Sequence, residues 1–217
     1  MSTIAADLEG TLTTGETWRG MAAWMQAHGR AAQYQWFFYR NLPGAVAARL
    51  GLQDKRAFQD RFMEGAAGLL AGLEQAELAA MSEWVVTNEL WPKRRQDVLD
   101  ELLRLRQDGR RLVLCSATYQ PILEAFARRM GAGVVALGTP LEVEGGVFSG
   151  RLRGPVRSGA HKAEHLRKFL DGEVLYRAYG DSLPDVPMLE LAEEPVAVYP
   201  EPKLRALAVE RNWRVIG

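Results

Sequence analysis

The chain has a single cysteine, Cys115, and only three histidines among 217 residues. One thiol forbids an internal disulfide and any zinc site built from cysteines, so the sequence suits a reducing, cytoplasmic compartment. Net charge is also missing: 27 lysines and arginines balance 27 aspartates and glutamates. That balance removes the whole-molecule electrostatic case for a dedicated nucleic-acid or anionic-membrane binder. No apolar run approaches the ~20 residues of a bilayer span, and the residues after Met1, Thr3-Ile4-Ala5-Ala6, carry no basic, long-apolar export signal. Neither a nucleic-acid partner nor stable membrane insertion is therefore expected. The oligomeric state is not legible.

What is present is an ordinary globular composition, with 47% hydrophobic and 25% charged residues, and the length corresponds to about one and a half domains of ~150 residues. Five of the six tryptophans, Trp18, Trp24, Trp36, Trp84 and Trp91, fall before residue 92. Between Glu16 and Leu90 the apolar spacing is helical, as in Trp18, Met21, Ala22 and Met25 with Gly29 as a stop, and further helices are expected around 54–73 and 75–90. Pro92 ends that run. Beyond it the rhythm becomes α/β: a helix near 95–108, a strand Leu112-Val113-Leu114-Cys115, and a helix opened by Pro121 and closed by Gly131. Strands are expected at 133–137, 174–179 and 195–199, helices from near His161 and Pro187, and a hairpin over 141–152 around Gly145-Gly146. Short βα alternation implies a parallel sheet covered by helices. With a first strand at Thr3 to Asp7 ahead of the helical block, the expected architecture is a Rossmann-like α/β core, residues 1–13 and 92–217, interrupted by an all-helical insert, residues 14–91.

In open parallel sheets, ligands bind beyond the carboxyl ends of the strands. Polar residues fall there in four places. Asp7-Leu8-Glu9-Gly10-Thr11 follows the first strand, Ser116-Ala117-Thr118 follows Cys115, His161-Lys162 opens a helix, and Gly180-Asp181-Ser182-Leu183-Pro184-Asp185 follows Tyr179.

The order and spacing of these four motifs over nearly the whole chain resemble the haloacid dehalogenase superfamily of aspartate-nucleophile phosphotransferases. The likeness is to its phosphoserine-phosphatase-like branch, in which a helical cap is inserted after the first motif. The resemblance implies that Asp7 is the nucleophile, attacking phosphorus to form an aspartyl phosphate, which splits one hard step into two. It implies a magnesium ion held by Asp7, the main-chain carbonyl of Glu9 and Asp181, a hard cation with oxygen ligands that offsets repulsion between carboxylate and phosphate. Asp185 matches a nearby acid that orients the metal's waters and the lysine. Ser116 and Lys162 match the hydroxyl and ammonium that bind the non-bridging phosphoryl oxygens, with the Ala117 amide assisting.

Glu9 departs from the commoner pattern, in which aspartate stands two residues after the nucleophile. Its implied role is general acid–base, with one methylene more of reach. A phosphoserine:homoserine phosphotransferase carries the same Asp-Leu-Glu-Gly string, so phosphotransfer to another alcohol stands beside hydrolysis of a small phosphorylated metabolite. A catalytically silent binding protein of the same fold is a third reading. Glu16, nine residues after Asp7, matches a glutamate that phosphoserine phosphatases hold near the substrate amino group, although a first-turn acid favoured by the helix dipole explains it equally. An approximate alignment puts Glu64, with Arg61 nearby, where those enzymes carry a carboxylate-gripping arginine. The aromatic stretch from Trp36 to Tyr39 favours a larger or more apolar ester, though packing inside the cap accounts for such a cluster more often. Arg151, Arg153 and Arg157 read as solvated surface, and Cys115 as packing.

Overall fold

The computed structural model describes residues 2–217. Its first strand, β1 (Thr3–Ala6), is buried along its whole length, as a continuous small apolar run requires in a strand flanked and covered on every side. After it come four cap helices, α1 (Thr17–Ala27), α2 (Ala31–Arg49), α3 (Lys55–Ala67) and α4 (Gln75–Val85). The chain then alternates through α5 (Gln96–Gln107), β2 (Arg111–Tyr119), α6 (Gln120–Met130) and β3 (Val135–Thr139). A hairpin of β4 (Leu141–Glu144) and β5 (Val147–Leu152) leads to α7 (Gly159–Leu170) and β6 (Leu175–Gly180). Finally come α8 (Val186–Leu189), β7 (Ala192–Val198), α9 (Pro202–Glu210) and β8 (Arg214–Ile216).

The main sheet has six strands in the order β3-β2-β1-β6-β7-β8, and every pairing in it is parallel. Side chains alternate between its faces. Ile4 and Ala6 of β1 join Leu112, Leu114 and Val196 on the face covered by α5 and α6. Ala5 joins Val113, Cys115, Ala178 and Ala197 against Leu166 and Leu170 of α7, Met188 of α8 and Leu204 of α9. Because β2 and β3 extend from one side of β1 and β6 to β8 from the other, the strand order reverses at β1, and the crevice at its carboxyl end is the natural ligand site.

The cap is joined to this end by two linkers that are bonded to each other. Thr13 Oγ1 donates to Leu90 O at 2.6 Å, and Arg95 N donates to Leu12 O at 2.8 Å. Residues 86–90 form a π-helical turn ahead of the short 3₁₀ turn at Trp91–Lys93, so the run expected over 75–90 changes winding rather than continuing as α-helix. The β4–β5 hairpin reaches the cap as well: Phe148 N donates to Leu73 O at 2.8 Å, and Gly72 N to Phe148 O at 2.9 Å.

Most expected elements appear within a few residues of their anticipated limits, with three differences. Residues 31–49 form one long helix, inside the stretch read as helical but without limits of its own in that reading. The second strand continues to Tyr119, with an irregular register between Cys115 and Tyr119. Beyond residue 200, α9 and β8 were not anticipated; Pro202 in the first turn of α9 was the available signal.

Candidate active site

Asp7 follows β1 directly at the point where the strand order reverses, and its amide donates to Tyr179 O at 3.0 Å. Lys162 stands in the first turn of α7, a helix whose N-cap is Ser158. Its side chain is 3% exposed, and its ammonium donates to Asp7 Oδ1 at 2.5 Å and Asp185 Oδ1 at 2.6 Å. Burial alone would lower the lysine pKa, but the charges of Asp185 and Asp7 raise it above the ordinary value, so the ammonium is a fixed charge. The other Asp185 oxygen accepts from Ser182 Oγ at 3.1 Å and from the amides of Asp181 and Ser182 at 3.2 Å. With both oxygens engaged by protein donors, Asp185 acts on the lysine and on the loop.

Asp181 is held differently. Thr11 Oγ1 donates to its Oδ1 at 2.9 Å, and no ion pair reaches it among the described residues. Oxygens of Asp7, Asp181 and Asp185 lie within 4.8 Å of one another. Burial first, and then the neighbouring carboxylates, push the pKa of Asp181 up; burial also raises that of Asp7 against the pull of Lys162. Three carboxylates facing one ammonium leave excess negative charge in a mostly dry cluster, which a divalent cation with oxygen ligands fits. Gly10 makes the approach possible: it adopts φ +85°, and a Cβ there would lie 2.2 Å from Asp181 Oδ2.

Glu9 is held by other partners than Asp181. Its Oε1 accepts from Thr17 N at 3.1 Å and Thr118 Oγ1 at 3.0 Å, while burial raises its pKa. A cavity of about 430 Å³ opens between core and cap. Its core wall includes Asp7, Glu9, Ser116, Ala117, Lys162 and Asp185. Its cap wall is largely apolar, with Trp18, Phe38, Leu42, Phe58, Phe62 and Met63.

The structure therefore brings Asp7, Glu9, Ser116, Ala117, Lys162 and Asp185 onto one wall, with Asp181 beside Asp7 but outside the cavity lining. Glu16 is not part of that wall: it is the residue at the N-cap of α1, its carboxylate is paired with Arg19, and Thr17 and Trp18 face the cavity instead. Neither Glu64 nor Arg61 lines the cavity; Arg61 bonds Gln53 Oε1 at 3.2 Å. The cationic residue that α3 brings to the cavity is Arg56, about two turns earlier than the position of Glu64. Its Nη2 donates to Ser158 O at 2.9 Å, and Ser158 Oγ donates to Asp60 Oδ1 at 2.8 Å. Thr11, Thr118, Arg56 and Ser158 were not assigned roles from sequence; Thr11 and Thr118 stand inside recognised motifs, which was the available signal. The aromatic stretch divides three ways, with Phe37 buried, Phe38 on the cavity, and Trp36 and Tyr39 exposed. Cys115 is buried and its thiol is pushed up to about 12 by burial, which suits packing.

Comparison with known proteins bears on the family and the fold. A family model described as haloacid dehalogenase-like hydrolase matches residues 4–190. The phosphoserine phosphatase SerB1 of Mycobacterium tuberculosis is 33% identical over 224 residues, covering 96% of this chain and 68% of the relative. A crystal structure of a protein of unknown function from Bordetella pertussis Tohama I superposes with a TM-score of 0.83 at 27% identity, covering 100% of this chain and 98% of the other. A phosphoserine phosphatase in its apo form shares the fold, with a TM-score of 0.65 at 18% identity over 99% of this chain and 92% of that one.

Proposed function

The chain belongs to the haloacid dehalogenase-like hydrolases, and from that membership we propose that it is a magnesium-dependent phosphomonoesterase acting through an aspartyl phosphate. The observation that carries the reading is the Asp7–Lys162–Asp185 chain where the strand order reverses, with Ser116 and Glu9 on the same wall. Asp7, the Glu9 carbonyl and Asp181 would hold the magnesium ion, which supplies positive charge against the phosphoryl group and screens it from the nucleophile. In the first step an Asp7 carboxylate oxygen forms a bond to phosphorus while the ester P–O bond breaks. Glu9, whose pKa burial raises, gives a proton to the leaving alkoxide in its acid form. In the second step Glu9 takes a proton from water, the resulting hydroxide attacks phosphorus, and the bond to Asp7 breaks to release inorganic phosphate. Ser116, Ala117 and Lys162 hold the non-bridging oxygens throughout, with fixed donors where charge accumulates.

The substrate is a small phosphorylated metabolite. The named activity of the mycobacterial relative makes phosphoserine the first candidate; Arg56 lies at the cavity together with its ion-pair partner Asp60, 3.9 Å away. A second reading keeps the site and passes the phosphoryl group to another alcohol; it is favoured by Glu9, shared with a phosphotransferase of the same branch. The lone buried thiol suits a reducing, cytoplasmic setting for either.

Hydrolysis of an aryl phosphate and of phosphoserine by the purified protein, with and without magnesium, tests this reading. Turnover that requires magnesium and disappears in Asp7→Asn is expected. Phosphate transferred to added alcohols in preference to water selects the second reading, and a folded wild type with neither activity overturns both.

A further inference from the structure

The helix α2 is apolar on both of its sides. Inward it packs Phe37 and Ala48 and offers Phe38 to the cavity. Outward it exposes Trp36 at 65%, Tyr39 at 68%, Val46 at 49% and Leu50 at 68%, and Pro43 lies among them, also exposed. At about 100° per residue, positions 36, 39, 43, 46 and 50 fall on one arc of the helix. An uncovered apolar stripe of this kind marks a contact surface.

Charge identifies what covers it. Residues 17–53 contain Arg19, Arg30, Arg40 and Arg49 but no aspartate or glutamate, a segregation hidden by the zero total of the chain. Arg19 is paired with Glu16, whereas Arg30, Arg40 and Arg49 have no acidic partner among the described residues. Arg40 and Arg49 flank the stripe on opposite sides, with Arg40 stacked over Trp36 at 5.2 Å. Two copies of this helix would set like charges beside each other, which opposes self-association. A flat anionic surface matches both the apolar stripe and the arginines, and tryptophan and tyrosine favour the boundary between headgroups and acyl chains.

We propose that the outer face of α2 seats the cap on an anionic lipid bilayer as a peripheral contact. The stripe is continuous with the cavity, since Leu42 is 42% exposed and also lines it, so a docked cap opens the cavity toward the lipid boundary. The apolar cap wall then receives the alcohol part of an amphiphilic phosphate ester; this last consequence alone rests on the phosphomonoesterase reading.

Co-sedimentation of the full chain with phosphatidylcholine vesicles, with and without phosphatidylglycerol, tests the docking without any substrate. Binding to the anionic vesicles that weakens as salt rises is expected. The Trp36→Glu/Leu50→Glu double variant, and separately Arg40→Glu/Arg49→Glu, should each lower vesicle partition at least tenfold, with aryl phosphate turnover in solution within twofold of wild type. None of these four residues lines the cavity. Absence of wild-type binding to anionic vesicles, or unchanged binding by both folded variants, overturns the proposal. So does a dimer in sedimentation velocity that Trp36→Glu/Leu50→Glu dissolves, which would identify a second copy as the occupant. Loss of aryl phosphate turnover with vesicle binding intact would remove the reaction and leave the docking standing.

Discussion

The carboxylate of Glu9 is held from two directions, by the amide of Thr17 and the hydroxyl of Thr118. Removing the hydroxyl in Thr118→Val keeps the shape of the side chain and deletes one donor to the acid proposed both to give and to take a proton. A hydrogen bond to a charged group contributes about 1.5–3 kcal/mol, so kcat should fall by roughly tenfold or more with KM little changed, as steady-state kinetics would show. Gly180 is equally constrained: a Cβ there would stand 2.5 Å from Asp185 Cβ. Gly180→Ala should lower stability by about 1–3 kcal/mol through overpacking, measurable by urea titration, and should lower turnover because Asp185 positions Lys162. At this scale the sequence shows the acids and the lysine, because each stands directly after a strand or opens a helix. It does not show Arg56 or Ser158, whose contact joins positions 102 apart and depends on how the cap settles. Glu16 has the expected spacing from Asp7 but lies at the start of a helix with Arg19 one turn on, and that local pairing takes its carboxylate.

Among the elements, α5, β6 and β8 are linked by Glu101. Its Oε1 accepts from Tyr179 Oη at 2.6 Å, Arg177 Nη1 at 3.1 Å and Arg214 Nη1 at 2.5 Å. Burial alone would raise the pKa of this carboxyl, but hydrogen bonds from Arg214 and Tyr179 and the charges of Arg214 and Arg177 hold it below the usual range. A group depressed in the folded state contributes stability above its unfolded pKa, near 4.3 for a glutamate, and loses that contribution as pH falls through its folded pKa. Glu101→Gln should therefore cost about 1–2 kcal/mol near neutrality, and the gap in Tm between variant and wild type should close as the pH is lowered below about 4. The amphipathic helices α5 and α6 were readable because each has one buried face and clear stops at Gly109 and Gly131. The limits of α2 within the helical insert were not, because apolar residues on both sides leave no single-face period. The three residues of β8 are too few for any alternation to register.

For the whole molecule, the excess negative charge around Asp7, Asp181 and Asp185 predicts that magnesium stabilises the fold. A cation at about a hundredfold its Kd adds about 2.7 kcal/mol when it binds only the native state. Thermal melts should show Tm rising with magnesium, falling back on chelation, and responding much less in Asp181→Asn. The α/β class and the helical insertion after the first strand were legible from the change in hydrophobic period at Pro92, whereas the bonding of the hairpin to the cap, Phe148 to Leu73, was not, since backbone pairing across elements leaves no mark in composition. The central place of β1 has a consequence for how the molecule comes into being. Its neighbours are β2, which begins at Arg111, and β6, which begins at Leu175, and the bond from Thr11 to Asp181 joins residues 170 positions apart. During synthesis β1 emerges with neither partner available, an unpaired apolar edge that waits while the entire cap is made. Folding of the core is thus a late, slow event set by long-range strand pairing, and a chain halted before β6 would leave Asp7 at the end of a strand half paired and open to other chains.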